Sequence, residues 1–150
     1  MTRSKELSLG KMRVDEIQIG PETGAHMTLD PSALSLYDAN GHERVSLFVE
    51  KDGTPTLLLK DGNSRTRLEN YVGEDGSAQI RIMNGEGKNV LRLYTDEDDC
   101  KPIIALCDSD GKEILEIMLN HEGKPALMVR NQEDHRVPWV MTAEAKEVVA

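Results

Sequence analysis

Apolar residues occupy every second position along most of the chain after residue 33. A helix would need apolar spacings of three and four, whereas a strand with one buried face shows a spacing of two. The alternation therefore predicts short strands, each with an apolar and a polar face. These apolar positions are Leu34, Leu36, Val45, Leu47, Val49, Leu57, Leu59, Leu68, Val72, Ile80, Ile82, Leu91, Leu93, Ile104, Leu106, Leu115, Ile117, Leu119, Leu127, Val129 and Val140.

The pattern repeats with a unit of two strands, and residues 34–56 form its first copy. One polar turn begins at Asp38, Asp61, Asn84, Asp108 and Asn131, with spacings of 23, 23, 24 and 23 residues. A second turn recurs at residues 51–53, 74–76 and 121–123. Asp, Asn and Gly tolerate the left-handed backbone of tight reversals. The turns therefore alternate every 11 or 12 residues, leaving room for strands of ordinary length.

This organisation predicts an all-β fold, a repetitive antiparallel meander of about nine or ten short strands. Two alternatives stay open, a β-solenoid with one coil per repeat and a closed up-and-down barrel. Residues 1–30 are predicted to be an irregular segment with one or two short strands, and residues 31–142 the repeat domain. Residues 143–150 are expected to form a tail or a short helix following an N-cap at Thr142.

A single layer of such strands leaves one apolar face to be covered. An apolar face of that length exceeds the patches that soluble monomers tolerate. Self-association is therefore expected, with the apolar faces of several chains forming a shared core.

The net charge of −9 and the lack of a basic stripe argue against nucleic-acid binding. No apolar run approaches the length needed to cross a bilayer, so membrane insertion is not expected. No secretory signal opens the chain, which favours the cytoplasm among cellular compartments. Cys100 and Cys107 are expected to be two unpaired thiols.

No residue pattern predicts catalysis, a cofactor or a metal site. The acidic turns, among them Asp108, Asp110 and residues 96–99, carry hard oxygen ligands but lack the spacing of a calcium loop. The histidines, at positions 26, 42, 121 and 135, form no nucleophilic motif with Ser or Cys. We therefore expect a non-enzymatic protein.

One set of equivalent positions on the polar face breaks the polar pattern. Its functional interpretation is a strip that binds a protein or a glycan. Its structural interpretation, which we favour, is packing between neighbouring chains or beneath the terminal segments. The stripe consists of Phe48, Tyr71, Tyr94, Met118 and Met141.

Residues 24–30, followed by residues 34–41 with their Leu-Ser-Leu-Tyr-Asp-Ala-Asn-Gly unit, resemble segments of phage and prophage tail-fibre and tail-spike proteins. The later copies are similar to uncharacterised bacterial β-repeat proteins. The tail-fibre resemblance implies a trimeric β-prism, a structural or surface-recognition role, and association with a virion. No functional residue of that family can be matched to a position here.

The leading hypothesis is a non-enzymatic structural or interaction module that self-associates, with a trimer favoured. A monomeric barrel that binds a small apolar ligand is the first alternative. A carbohydrate-binding module or surface enzyme is the second.

Overall fold

A computed structural model describes residues 14–96 and 101–130, together with the backbone of residues 136–139. Within these residues the chain forms one antiparallel sheet of twelve strands. The strands are β1 (Ile17–Ile19), β2 (His26–Leu29), β3 (Ala33–Tyr37), β4 (Glu43–Val49), β5 (Pro55–Lys60), β6 (Thr66–Val72), β7 (Ala78–Met83), β8 (Asn89–Thr95), β9 (Pro102–Cys107), β10 (Glu113–Leu119), β11 (Pro125–Arg130) and β12 (Arg136–Trp139).

The strands lie in the sheet in chain order, so that each pairs with the strands before and after it. Each described strand contacts only these neighbours. The sheet is therefore an open single layer, neither closed into a barrel nor wound into a solenoid. The predicted all-β meander is confirmed, and both alternative architectures are excluded by this pairing.

The strand count exceeds the expectation of nine or ten because the N-terminal segment continues the sheet. The ten strands β3 to β12 correspond to the five repeats, while β1 and β2 precede them. In these two strands, Ile17 pairs with Leu29, and Met27 pairs with Leu36 of β3. The predicted tail or helix over residues 143–150 lies outside the described residues.

Both classes of turn have the same hydrogen-bonded frame. In the first class, the Asp38 N–H donates to the His42 carbonyl and the Gly41 N–H donates to the Asp38 carbonyl. In the second, Glu50 and Thr54 replace Asp38 and His42, with Gly53 in the glycine position. Gly41 and Gly53 have φ values of 81° and 94°, a conformation that favours glycine.

A β-bulge explains why the repeat has an odd length. The identical frames begin at Asp38, Glu50 and Asp61, which are 12 and then 11 residues apart. In the longer interval, Leu36 pairs with Val45 and the next residue, Tyr37, pairs with Glu43. Arg44, between the two partners, is therefore the extra residue. Equivalent shifts recur in β6, β8 and β10. Each bulge returns the following residues to the correct face of the sheet.

Candidate interaction surfaces

The ladder register gathers the apolar residues on one face, here called the apolar face. Residues directly opposite in adjacent strands share a face, so the pairing assigns each position. No ladder-paired residue on this face within the described strands is charged. Its large members are Ile17, Ile19, Met27, Leu29, Leu34, Leu36, Val45, Leu47, Val49, Leu57, Leu59, Leu68, Val72, Ile80, Ile82, Leu91, Leu93, Ile104, Leu106, Leu115, Ile117, Leu119, Leu127 and Val129.

The apolar face is exposed in the single chain. Ile19 retains 58% of its accessible surface and Val49 retains 63%, because no second layer of the described chain covers them. Leu47, Ile104 and Ile117 are exposed as well. Soluble monomers rarely present a continuous apolar surface of this kind.

The opposite face, here called the charged face, contains all of the buried residues in the described part of the chain. Ala105 is fully buried and Glu116 is 2% exposed. Ala105 pairs with Arg92 on one side and Glu116 on the other, so long side chains flank a short one. Ser35, Ser46 and Thr56 are buried on the same face. The burial in the single chain thus lies on the face that the sequence marks as polar.

The predicted stripe is one row of the charged face. Phe48 pairs with Thr56, which pairs with Tyr71 in turn. The row continues through Gln79, Tyr94, Ile103 and Met118 and reaches Ala126. The four described stripe residues, Phe48, Tyr71, Tyr94 and Met118, are half-buried. Met141, the fifth predicted member, lies outside the described residues.

Arg81 organises the centre of this row. Its guanidinium carbon lies 5.0 Å from the centroid of the Tyr71 ring, and its Nη2 donates to the Tyr71 hydroxyl at 2.6 Å. Its Nη1 donates to Glu69 at 3.1 Å, and its Nε donates to Gln79. The Tyr71 hydroxyl donates to Gln79 at 2.9 Å. One arginine of β7 therefore connects this strand with β6 through charge-assisted hydrogen bonds.

Tyr94 has a similar arrangement with Arg92. The guanidinium carbon lies 4.5 Å from the Tyr94 ring centroid, and Nη1 donates to Glu113 at 2.5 Å. The Tyr94 hydroxyl donates to Glu113 at 3.3 Å. Burial, followed by the nearby carboxylates of Glu113 and Glu116, raises the pKa of Tyr94 to about 12. The phenol is therefore neutral at physiological pH and serves as a donor.

A third cluster surrounds Glu43. Its Oε1 accepts hydrogen bonds from Ser35 at 2.7 Å and Ser46 at 3.0 Å, and its Oε2 pairs with Lys60. Burial opposes ionisation, but the hydrogen bonds from Lys60 and the serines outweigh it and lower the pKa of Glu43. The charged face thus contains networks whose groups are largely paired with one another.

Two shallow depressions flank Tyr71 on this face. One, of about 480 Å³, lies between the stripe and the turn at residues 50–54. The other, of about 290 Å³, lies between Tyr71 and Tyr94. Neither contains an arrangement of nucleophile, base and oxyanion donor.

The acidic turn residues use their carboxylates to cap the turns. Asp61 Oδ1 accepts the N–H groups of Asn63 at 2.9 Å and Arg65 at 3.1 Å. These two backbone hydrogen bonds lower the pKa of Asp61. Asn84 makes the same two bonds with an amide oxygen, which shows that the turn requires an acceptor rather than a charge. Among the described residues no group of three or more potential ligands could hold a metal ion.

The histidines and cysteines have separate surroundings. His26 stacks on Tyr37 with ring centroids 4.4 Å apart, while His42 lies 3.6 Å from a carboxylate oxygen of Asp38. His121 lies 3.7 Å from Glu122 in another turn. Cys107 is a free thiol whose pKa is raised by burial. Cys100, residues 97–99 and His135 lie outside the described residues.

Comparison with protein-family models gives no match for this chain, and comparison with curated proteins gives none. In the part of the chain that the structure describes, no helix is long and apolar enough to cross a membrane.

The sequence pattern predicts the stripe but not its arginine partners. Arg81 and Arg92 occupy alternate positions that the pattern assigned only to a polar face. The sequence feature that could have indicated these partners is the repeat, because turns with the same hydrogen-bonded frame fix the strand register. That register places Gln79 opposite both Tyr71 and Tyr94. The ring contacts depend on side-chain conformations, which the pattern does not specify.

Proposed function

We propose that the protein is a non-enzymatic β-repeat module that self-associates, with the apolar faces of its copies forming a shared core. The observation that carries this proposal is the exposure of the apolar face without a single ladder-paired charge among the described strands. A face intended for water would alternate charges with the apolar residues, as the charged face of the same sheet does. Burial of apolar surface is the dominant driving force for association.

The size of the face supports a stable assembly. Eleven spacings of about 4.8 Å by strands of about 20 Å give a face of about 1000 Å². Stable protein interfaces bury about 800 Å² on each partner. A second copy with the same face therefore supplies enough area, and both surfaces are apolar.

Sheet twist favours copies arranged around one axis. Adjacent strands rotate relative to one another about the hydrogen-bonding direction, and the rotation accumulates along the sheet. Copies related by a symmetry axis in that direction twist together and stay in contact from the first strand to the last. A copy that packed as a flat layer would diverge from the face.

Strand length favours a trimer. Three sheets with strands of about 20 Å form a triangular prism whose faces lie about 6 Å from the axis. Packed sheets lie about 10 Å apart, so each contributes about 5 Å of side chains. Leu, Ile and Val side chains therefore fill such a prism without a wide central cavity. This geometry is that of the β-prism implied by the tail-fibre resemblance.

The charged face becomes the outer surface of such an assembly. An arginine lies over one face of each stripe tyrosine, at Tyr71 and Tyr94, which leaves less ring surface for stacking on a sugar. The stripe is therefore better suited to stabilising the outer face and to contacting protein through its half-buried side chains. This arrangement supports a structural role in a fibre or surface assembly.

The test is the mass in solution together with one charged substitution on the apolar face. Leu47 is half-exposed in the single chain, so Leu47→Lys costs little there, but it places an ammonium group in the shared core. We expect sedimentation equilibrium to show a trimer for the native protein. The dissociation constant of Leu47→Lys should rise by at least about a hundredfold, because an unpaired buried charge is strongly unfavourable.

The matched control is Asn40→Lys, which adds the same charge in an exposed turn. This variant should keep the mass of the native protein. A native protein that is a well-folded monomer at micromolar concentration would overturn the proposal.

A further inference from the structure

The central row of the apolar face contains a single polar side chain. The ladder register assembles this row from one residue of each strand between β3 and β11, and its only member outside the apolar set is Asn70 in β6. The row runs Leu34, Leu47, Leu57, Asn70, Ile80, Leu93, Ile104, Ile117 and Leu127.

Asn70 departs from the repeat as well as from the row. The equivalent residues one repeat before and after it are Leu47 and Leu93. The Asn70 side chain is exposed, and its amide makes no hydrogen bond to any described residue. Thr95, on the edge of the same face, differs because its Oγ1 accepts the Ala78 N–H at 3.2 Å. Asn70 is thus an exposed donor and acceptor that the described strands leave without a partner.

The repetitive face creates a problem for self-association. Its rows recur every two strands, so a copy displaced by one repeat still places Leu against Leu and Ile. Register is weakly specified where neighbouring alignments bury similar surfaces. A single polar residue in an apolar interface distinguishes such alignments, because it is satisfied in only one of them.

We propose that Asn70 sets the register of the assembly by pairing with Asn70 of the other copies in the shared core. This inference rests on the self-association proposed above. Each side-chain amide offers two N–H donors and one carbonyl acceptor, so three copies around an axis close a ring in which each donates to the next. Displacement by one repeat places each amide against an aliphatic side chain and leaves its polar atoms buried without partners.

The test compares subunit mixing between the native chain and a register-shifted variant. The variant carries Asn70→Leu together with Leu93→Asn, which moves the polar residue by one repeat and conserves composition. Equal amounts of mass-tagged native chain and variant are unfolded, refolded together and examined by native mass spectrometry. We expect mixed oligomers at about a tenth of the statistical amount or less. When the two kinds of chain align in the same register, their Asn side chains lie at different heights and their amides stay unpaired.

Two controls isolate the effect. Tagged and untagged native chains should mix statistically. Thr95→Val, which removes a polar group from the edge of the same face, should also mix statistically with the native chain. If the double variant does not fold, the single variant Asn70→Leu replaces it, because Leu already occupies the equivalent positions of the neighbouring repeats. Mixed oligomers of Asn70→Leu with the native chain should likewise be depleted.

The outcomes separate the two proposals. Statistical mixing of the native chain with either Asn70 variant, all species being oligomeric, would overturn the role of Asn70 and leave self-association intact. A monomeric native chain would overturn self-association itself.

Discussion

Ser64 shows how single residues depart from the repeated turn. It has a φ of 59°, in the position where the equivalent turns carry Gly41, Gly87 and Gly111. A side chain in this left-handed conformation is disfavoured because its Cβ approaches the backbone. A Cβ added at Gly41 or Gly87 would meet no atom within 4 Å, so the cost is conformational rather than a matter of packing.

We therefore expect Ser64→Gly to stabilise the protein by about 0.5–1 kcal/mol, as measured by urea unfolding. The greater freedom of glycine in the unfolded chain offsets part of the gain. Ala39→Gly is the matched control, since Ala39 does not have a positive φ; this change should be neutral or destabilising. Equal effects of the two substitutions would contradict the explanation.

The Asp61 cap predicts a dependence on pH. Its folded pKa lies below the ordinary value because backbone N–H groups of Asn63 and Arg65 stabilise the carboxylate. Its contribution is complete above the unfolded pKa of about 3.9 and is lost as pH falls through the lower folded pKa. Asp61→Asn keeps an acceptor that does not titrate, as Asn84 does in the equivalent turn.

Asp61→Asn should match the native protein in thermal midpoint at pH 7 and lose less stability than the native protein between pH 5 and pH 2. Asp61→Ala, which lacks an acceptor, should be less stable than both at pH 7. Parallel acid-unfolding curves for the native protein and Asp61→Asn would show that this carboxylate does not contribute.

At the scale of the strand, the bulges determine which single-residue deletions the sheet tolerates. Ile114 is the extra residue of β10, since Leu106 pairs with Leu115 and Cys107 pairs with Glu113. Deleting it creates the regular hairpin already present at the second class of turn, and every remaining residue keeps its face. Deleting Ile104 from β9, which contains no extra residue, moves part of that strand to the wrong face.

Deletion of Ile114 should therefore cost about 1 kcal/mol or less, whereas deletion of Ile104 should cost more than about 3 kcal/mol or prevent folding. Urea unfolding followed by circular dichroism measures both. Comparable losses for the two deletions would show that the bulge has a further structural requirement.

The strands could be predicted from the sequence, but the position of the extra residue in each bulge could not. The alternation and the turn residues predicted about nine or ten strands for the repeat, with their correct faces. An odd repeat length requires one additional residue per unit, but whether a turn or a strand contains it depends on hydrogen bonding. The register assigns it to the strand after the first class of turn.

At the scale of the whole molecule, the exposure of the apolar face is the observation that supports the proposed self-association. The described strands form one layer, so neither face is covered by another part of the described chain. Long side chains such as Arg81 and Arg92 lie across the charged face and bury the short residues beside them. The branched aliphatic side chains of the apolar face have no such cover among the described residues, and the proposed self-association would bury them.

The sequence by itself determined the strands of the repeat, their turns and the composition of each face, because these follow from local backbone preferences and a period of two. It favoured the meander order but left a solenoid and a closed barrel open. It also placed Phe48, Tyr71, Tyr94 and Met118 in one row. The tertiary structure decided that the sheet stays open, that Arg81 and Arg92 cover the stripe tyrosines, and that Asn70 lies without a described partner in the central apolar row. The open sheet and the position of Asn70 depend on how the strands pair, whereas the contacts of Arg81 and Arg92 depend on side-chain conformations that the pattern does not specify.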